Sequence, residues 1–296
     1  MDDARSVAAQ LDGPWPSVVV WAVLLPVSAV LLVRALAVRR RLGRGAPLGR
    51  EPHPYEAALI RSGEDRAVLT GLAVLRAEGA IEARPPGRLV AGDRKGPVLP
   101  LDDALHGAVR RGVAPSALRR DGAVGKALRM LRTDLEDAGQ LLSPAAKDAR
   151  RVAAVPLLAV SWLGAPAVLI LPGGVTPPAL VAGFLIEAVL AVAALVLVLD
   201  RGSRTAEGKA ADLEYGLRHL HLAPWASPSW TTYGPAALAT GVAVYGVAVL
   251  DDAEPEFTEA AELRKDYGGG AGGGGGDGGD GGGGDGGCGG CGGCGG

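Results

Sequence analysis

Cysteine is absent until the last nine residues: Cys288, Cys291 and Cys294 are the only three in the chain, spaced CxxCxxC within a run of glycine. A small fold stapled by disulfides is thereby excluded. Aromatics are scarce at 4%, so any core must be built from Leu, Val and Ala, which bury less area per residue than Phe or Trp. An excess of one charge is lacking too. Lys and Arg number 30 against 32 Asp and Glu, and a net charge of −2 gives no electrostatic case for a nucleic-acid partner. Missing as well are HExxH, GxSxG, a Walker A loop and a dinucleotide fingerprint behind a strand, while His53 and His106 have no nucleophile beside them in sequence. The expectation is that the chain is not an enzyme.

What is present comes in apolar blocks. Ser17 to Val33, "SVVVWAVLLPVSAVLLV", continues through Arg34 to the cluster Arg39, Arg40, Arg41 and Arg44. About 20 apolar residues cross ~30 Å of hydrocarbon, and Arg34 can snorkel from the last turn, so 15–38 is expected to be transmembrane helix 1. A second block occupies 152–171 and a third 179–199, with the turn "PGGVTPP" of 172–178 between them, which predicts an antiparallel helical hairpin. Glu187 is the one acidic residue well inside these spans, and an intramembrane carboxylate is a functional-site hypothesis by default. Its plainer alternative is a residue facing the other helices or close enough to the interface to be solvated. The basic flanks fix the orientation. Arg39 to Arg50, then Lys147, Arg150 and Arg151, then Arg201, Arg204 and Lys209 all fall on one side, which the positive-inside rule makes the cytoplasm. The segment 1–14 and the short turn are then external. A cleaved signal peptide, suggested by the AxA of Ala35 to Ala37, is set aside because its amino-terminal region would be acidic.

Residues 39–151 are expected to form a cytoplasmic helical domain. "PYEAALIRSG" starts with Pro54 at a favoured first helical position and stops at Gly63. In "EDRAVLTGLAVLRAEG", Ser62 and Asp65 are placed like a capping box, Val68, Leu72 and Leu75 share a face, and Gly79 closes the helix. "AIEARPPGRLVAGD" reads as a β-hairpin, and the order helix, helix, hairpin suggests a winged-helix-like arrangement. Val124, Leu128, Leu131, Leu135 and Ala138 mark a further amphipathic helix. The proposed wing carries Arg84, Arg88, Arg94 and Lys95, but 51–150 holds 16 basic against 14 acidic residues, and the helix at the reading position carries Glu64, Asp65 and Glu78 against Arg66 and Arg76. Nucleic acid is not the expected partner. The segment 200–267 is expected to be cytoplasmic and helical, with an apolar helix at 235–250 that is short for a fourth span and could be re-entrant, interfacial or packed on the hairpin.

From Gly268 to Gly296 the chain holds 22 glycines, three aspartates, one alanine and the three cysteines, the composition of a disordered tether. Thiolates two residues apart can approach one soft ion, which makes Cys288, Cys291 and Cys294 candidate ligands for zinc or copper, or for an iron–sulfur centre. A fourth ligand would have to come from His219 or His221, from Asp285 or from a second copy. An HxH pair on a helix places its rings on different faces, so His219 and His221 read as an interfacial or core pair rather than a shared site.

This layout resembles an uncharacterised membrane protein family of high-GC, actinobacterial-type bacteria with a glycine- and cysteine-rich C-terminal tail. The residues that carry the resemblance are Pro54, Tyr55, Glu56, Ala58, Leu59 and Gly63, then "RTAEGKAADLEYGLRHLHL", "YGPAALATGVAVYGVAVL" and the tail. It implies a topology and no activity. The expected fold class is mainly α: an integral membrane protein with an N-terminal single span, a small helical, winged-helix-like cytoplasmic domain, a transmembrane hairpin and a Gly/Cys tail. The expected function is that of a membrane-anchored interaction or regulatory protein in the plasma membrane, its N-terminus outside, with the lipid bilayer and a cytoplasmic protein as partners, as a monomer or a homo-oligomer. A metal-handling role for the CxxCxxC tail is the alternative.

Overall fold

The computed structural model describes residues 15–94, 99–170, 177–199 and 202–268. The described chain is mainly helical, and it divides by composition into an apolar three-helix bundle and a mixed helical domain.

The bundle consists of α1 (Trp15–Gly43), α6 (Pro144–Ile170) and α7 (Pro177–Leu199). Helix α6 packs against both of the others. Among the described residues, two stretches, Trp21–Gly43 and Ala182–Leu199, are long and apolar enough to cross a membrane. Their surface is inverted relative to a soluble protein. Val27, Val30 and Val33 of α1, Val155 and Trp162 of α6, and Leu185, Val189 and Val196 of α7 are exposed. Apart from Leu157, the large side chain buried in α6, the buried positions are small or polar, among them Ser28, Ala35, Ala154, Ser161, Glu187 and Ala194. Small residues let helix backbones approach closely when no hydrophobic effect drives them together, as in lipid.

The domain forms from two segments of chain on either side of this bundle. The first supplies α2 (Pro54–Ser62), α3 (Glu64–Ala77), the hairpin β1 (Ile81–Arg84) and β2 (Arg88–Ala91), α4 (Pro100–Arg110) and α5 (Gly122–Asp137). The second supplies α8 (Ala206–Arg218), α9 (Trp230–Tyr245), α10 (Val247–Ala253), α11 (Pro255–Ala260) and α12 (Leu263–Tyr267). One continuous core joins them: Leu69, Leu72 and Leu75 of α3 lie with Leu105 of α4, Leu128 and Leu135 of α5, Val242 of α9 and Leu250 of α10. Each such leucine, fully removed from water, stabilises the fold by roughly 1.5–3 kcal/mol.

Several local expectations meet their structures here. Pro54 does open α2, and Gly63, at φ +84°, ends it. Val68, Leu72 and Leu75 are all fully buried, and Gly79 follows the end of α3 at φ +70°. The hairpin pairs Ile81 with Ala91 and Ala83 with Leu89 on its core side, leaving Glu82, Arg84 and Arg88 outward. Val124, Leu128 and Leu135 line the buried face of α5.

Three features differ. The capping box is not at Ser62 and Asp65. Ser62 is still the last residue of α2, and a single glycine at positive φ separates the helices, so no side chain is left in the N-cap position of α3. The reciprocal cap stands instead at His53 and Glu56. The stretch 235–250 is neither one helix nor packed on the apolar hairpin. Regular helix begins at Pro235 after a break at Gly234 (φ +76°) and stops at Gly246 (φ +81°), and Leu238 to Val244 are buried against α2 and α3. Its apolarity is that of a core helix. Finally, the order of a winged helix is present but not its open face: α3 is enclosed by α2, α4 and α9, and the guanidinium of Arg94 turns inward towards Asp102, 3.5 Å away, and Glu78.

The three strands of chain that pass between bundle and domain are laced to one another. Leu142 N–H donates to the Ser203 carbonyl (2.7 Å), Thr205 N–H to the Gln140 carbonyl (3.1 Å), and the Gln140 amide to the Ala46 carbonyl (2.6 Å). The Thr205 hydroxyl donates to Gly139 O at 2.7 Å while accepting from Gly208 N–H to cap α8. A Cβ on Gly45 would collide with the Gly139 carbonyl oxygen, and one on Gly208 with that of Gln140, so the close approach requires glycine at both positions.

Candidate site: an acidic groove beside the apolar bundle

The segment that leaves α1 is rich in proline and runs along the domain to His53, where it becomes α2. His53 is extended (φ −62°, ψ 149°), as an N-cap must be, and its Nδ1 accepts from Tyr55 N–H at 3.4 Å. Glu56 returns the bond: its Oε2 accepts from His53 N–H at 2.8 Å, and both oxygens accept from Arg50, at 2.6 and 2.7 Å. Burial alone would raise the Glu56 carboxyl. The Arg50 guanidinium and the His53 N–H outweigh it and hold the group below the usual range. Burial also pushes the His53 imidazole down, opposed by Glu56 and reinforced by Arg50.

The next residue, Tyr55, points inward. Its phenol donates a short hydrogen bond to Oδ1 of Asp102 in the first turn of α4, and both side chains are buried. Burial raises the Asp102 carboxyl, against the pull of the Tyr55 bond and the Arg94 charge, with Glu78 adding to the rise. Burial and the adjoining Asp102 also push the Tyr55 phenol far up, so it remains a donor. From the other segment of the domain, His219 caps α8 and its Nδ1 donates to the Tyr215 carbonyl at 2.9 Å. This leaves Nε2 facing Glu51 at 3.7 Å.

These groups surround a cleft of about 640 Å³ floored by Pro235, Ala239 and Thr240 of α9. It adjoins a second of about 430 Å³, which shares Glu51 and Tyr215, and a third of about 190 Å³, which shares His53 and Tyr55. The three clefts adjoin one another along the Pro47–Tyr55 segment. Seven carboxylates border these clefts, Glu51, Glu56, Glu78, Asp102, Asp134, Glu207 and Glu214; Glu56 and Glu214 are paired with Arg50 and Arg218, and Glu78 and the buried Asp102 face Arg94. Such a groove, apolar on its floor and acidic along its walls, suits an extended cationic chain.

The residues singled out in the sequence are distributed differently. Cys288, Cys291, Cys294 and Asp285 lie outside the described residues, as does Lys95. Among the described residues, no three His, Cys, Asp or Glu side chains are grouped to hold a metal ion. His219 and His221 are not on opposite faces of a helix. Helix α8 ends at Arg218, so His221 falls in a 3-10 turn and the two rings approach to 6.0 Å. His106 bonds the Gly92 carbonyl at 3.0 Å, beside the hairpin. Glu187 is turned into the bundle and accepts from Ser28 at 3.5 Å. The sequence reading missed Glu51, Asp102 and Tyr215. Of these only Tyr215 carries a signal, as an aromatic in a charged helix.

No family model matches the sequence, and neither the curated proteins nor the solved structures contain a match, so the family resemblance rests on the motifs quoted above.

Proposed function

We propose that the chain is a membrane-anchored interaction protein whose extramembrane domain docks an extended, basic segment of a protein partner in the acidic groove. The observation that carries this is the excess of carboxylates around three adjoining clefts, seven against Arg50, Arg218 and the Arg94 that faces Glu78 and Asp102. The anchor is the three-helix bundle, with α6 as the third crossing alongside α1 and α7. Large apolar side chains mostly outside, and small or polar ones inside beside Leu157, suit lipid and would be unfavourable in water. A soluble core helix would be buried, whereas only 11% and 17% of the two apolar windows are. The end of α1 with Arg39 to Arg44 and the start of α6 with Lys147, Arg150 and Arg151 gather where the domain attaches. By the positive-inside rule, that end and the domain are cytoplasmic, and the protein belongs to the plasma membrane.

The test uses the full-length chain in lipid nanodiscs against fluorescent peptides of matched length, Lys/Arg-rich, neutral and Asp/Glu-rich. Basic peptides bind, their affinity falls with salt, and the double reversal Glu51→Lys with Glu207→Lys weakens them at least tenfold. Equal binding of acidic and basic peptides, or indifference to the double reversal, refutes the assignment.

A further inference from the structure

The bundle holds a second polar feature, unconnected with the groove. Glu187 is the eleventh of 23 residues in α7, at its centre, and only 1% of it is exposed. Its Oε1 accepts from Ser28 of α1 at 3.5 Å, and its Oε2 is buried with no hydrogen-bond partner. On α6, Ser161 is 3% exposed and its hydroxyl is likewise buried and unpartnered.

The topology brings these three residues to one level. Arg150 of α6 donates to the Arg39 carbonyl of α1 at 3.2 Å, and both border one small cavity with Leu197 of α7. Ser28 lies eleven residues before Arg39, Ser161 eleven after Arg150, and residue 186 eleven before Leu197. In helices of equal rise that alternate in direction, all three steps end in the same layer, about 16 Å along the bundle. A carboxylate and two hydroxyls therefore share the interior of one layer.

Among the described residues, no cationic side chain reaches that layer. Residues 152–199 hold no other charged group, Arg34 of α1 is exposed on the outside, and Arg39 and Arg150 are a bundle's half-length away. An ionised carboxylate in hydrocarbon is strongly unfavourable until something neutralises it. The 3.5 Å between Ser28 Oγ and Glu187 Oε1 is also wide for a hydroxyl–carboxylate hydrogen bond, whose usual length is about 2.7 Å.

We infer that Glu187, Ser28 and Ser161 form a binding site for one neutralising monovalent cation, a proton or a sodium ion, at the centre of the membrane. The inference rests on the membrane reading given above and not on the groove. Glu187 supplies the charge, and the two serine hydroxyls supply neutral oxygens that can accept from a proton or coordinate an alkali ion.

The experiment uses the full-length chain in liposomes, first extracted with alkali to establish that it is integral. Dicyclohexylcarbodiimide then adds to an apolar, protonated carboxyl and leaves an N-acylurea that peptide mass spectrometry locates. The expected result is an adduct at Glu187 that is absent from Glu187→Gln. Sodium at constant ionic strength lowers it severalfold if the resident cation is sodium, and leaves it unchanged if it is a proton. Thermal unfolding in detergent is independent of reagent access. There the wild-type midpoint responds to pH or sodium, while Glu187→Gln, with a neutral side chain of the same shape, loses that part of the response. An integral chain with no Glu187 adduct and the same pH and sodium response as Glu187→Gln overturns the site. A chain released by alkali overturns the membrane reading instead.

Discussion

Replacing Glu56 by alanine removes three charge-assisted hydrogen bonds at the point where the groove segment becomes α2. The His53 N–H loses its acceptor at a helix N-terminus, which costs about 1 kcal/mol. The two Arg50 bonds contribute less than their 2.6 and 2.7 Å lengths suggest, because the Arg50 side chain is 57% exposed and water replaces the lost partner. A total near 2 kcal/mol follows, about thirtyfold in the folding equilibrium. Glu56→Gln keeps a carbonyl oxygen for His53 N–H and loses the charge, so it falls between wild type and alanine. The assay is urea unfolding of the full chain in mild detergent, followed by tryptophan fluorescence. The pH profile separates the terms. Glu56 titrates below 4.5 in the folded protein, so its contribution is complete above that value and is lost as pH falls through the folded value. His53 is held below 6.5, so folding disfavours its protonation and stability declines as pH drops beneath 6.5. Wild type should lose stability on acidification in two stages. Glu56→Gln should lack the lower stage and keep the upper one, since removing Glu56 also removes the charge that favours the imidazolium. Superimposable pH profiles for the two proteins, or an alanine variant within 0.5 kcal/mol of wild type, roughly the scatter expected of a neutral surface change, would refute the reciprocal cap.

The remaining predictions address the core, the junction and the buried polar pair. Leu72→Ala, in the fully buried stripe of α3, should destabilise the domain by about 2–5 kcal/mol in the same unfolding assay. Gly208→Ala should loosen the junction, because the new Cβ meets the Gln140 backbone rather than a movable side chain; limited proteolysis should then cut near 139–143 or 203–208 faster than in wild type. Tyr55→Phe removes the donor to Asp102, which then rises further from its ordinary value of 3.8. Its destabilisation, about 1–3 kcal/mol, should be small in acid, where Asp102 is neutral, and should grow as pH rises past that range.

Much of the secondary structure was legible because it rests on local rules. Proline at the first turn of α2, glycine at its end, leucine spacing on α3 and α5 and the hairpin turn each act within a few residues. What was not legible depends on partners distant in sequence. The stretch 235–250 carries the same apolar residues whether it faces lipid or a protein core, and only α2 and α3, some 170 residues earlier, decide between them. Ser62 had the right residue type for a cap and the wrong backbone, since its place inside α2 is set by Gly63. In the groove, Glu51 and Asp102 look like ordinary surface carboxylates, and Asp102 acquires its character by being covered and bonded to Tyr55. Glu187 is the opposite case. A lone carboxylate in an apolar run was visible at once, but Ser28 and Ser161, which give it a setting, are two unremarkable serines until the helices are aligned.

The division of the domain by the hairpin has a consequence for assembly. The core of α2 to α5 is incomplete without α9, whose Leu238, Val242 and Ala243 lie against α2 and α3, and α9 follows the bundle in the chain. Without the second segment, Leu72 and its neighbours lack the cover that α9 supplies. The groove inherits this dependence. Glu51, His53 and Asp102 come from the first segment, whereas Tyr215, His219 and Thr240 come from the second. The hydrogen bonds at Gly139 to Leu142 and Ser203 to Thr205 then close the gap where the hairpin leaves and returns. A truncated first segment, lacking everything after α5, would expose the apolar faces of α2 and α3 and possess half a groove, so loss of binding in such a fragment would report the missing α9 rather than any residue of the site.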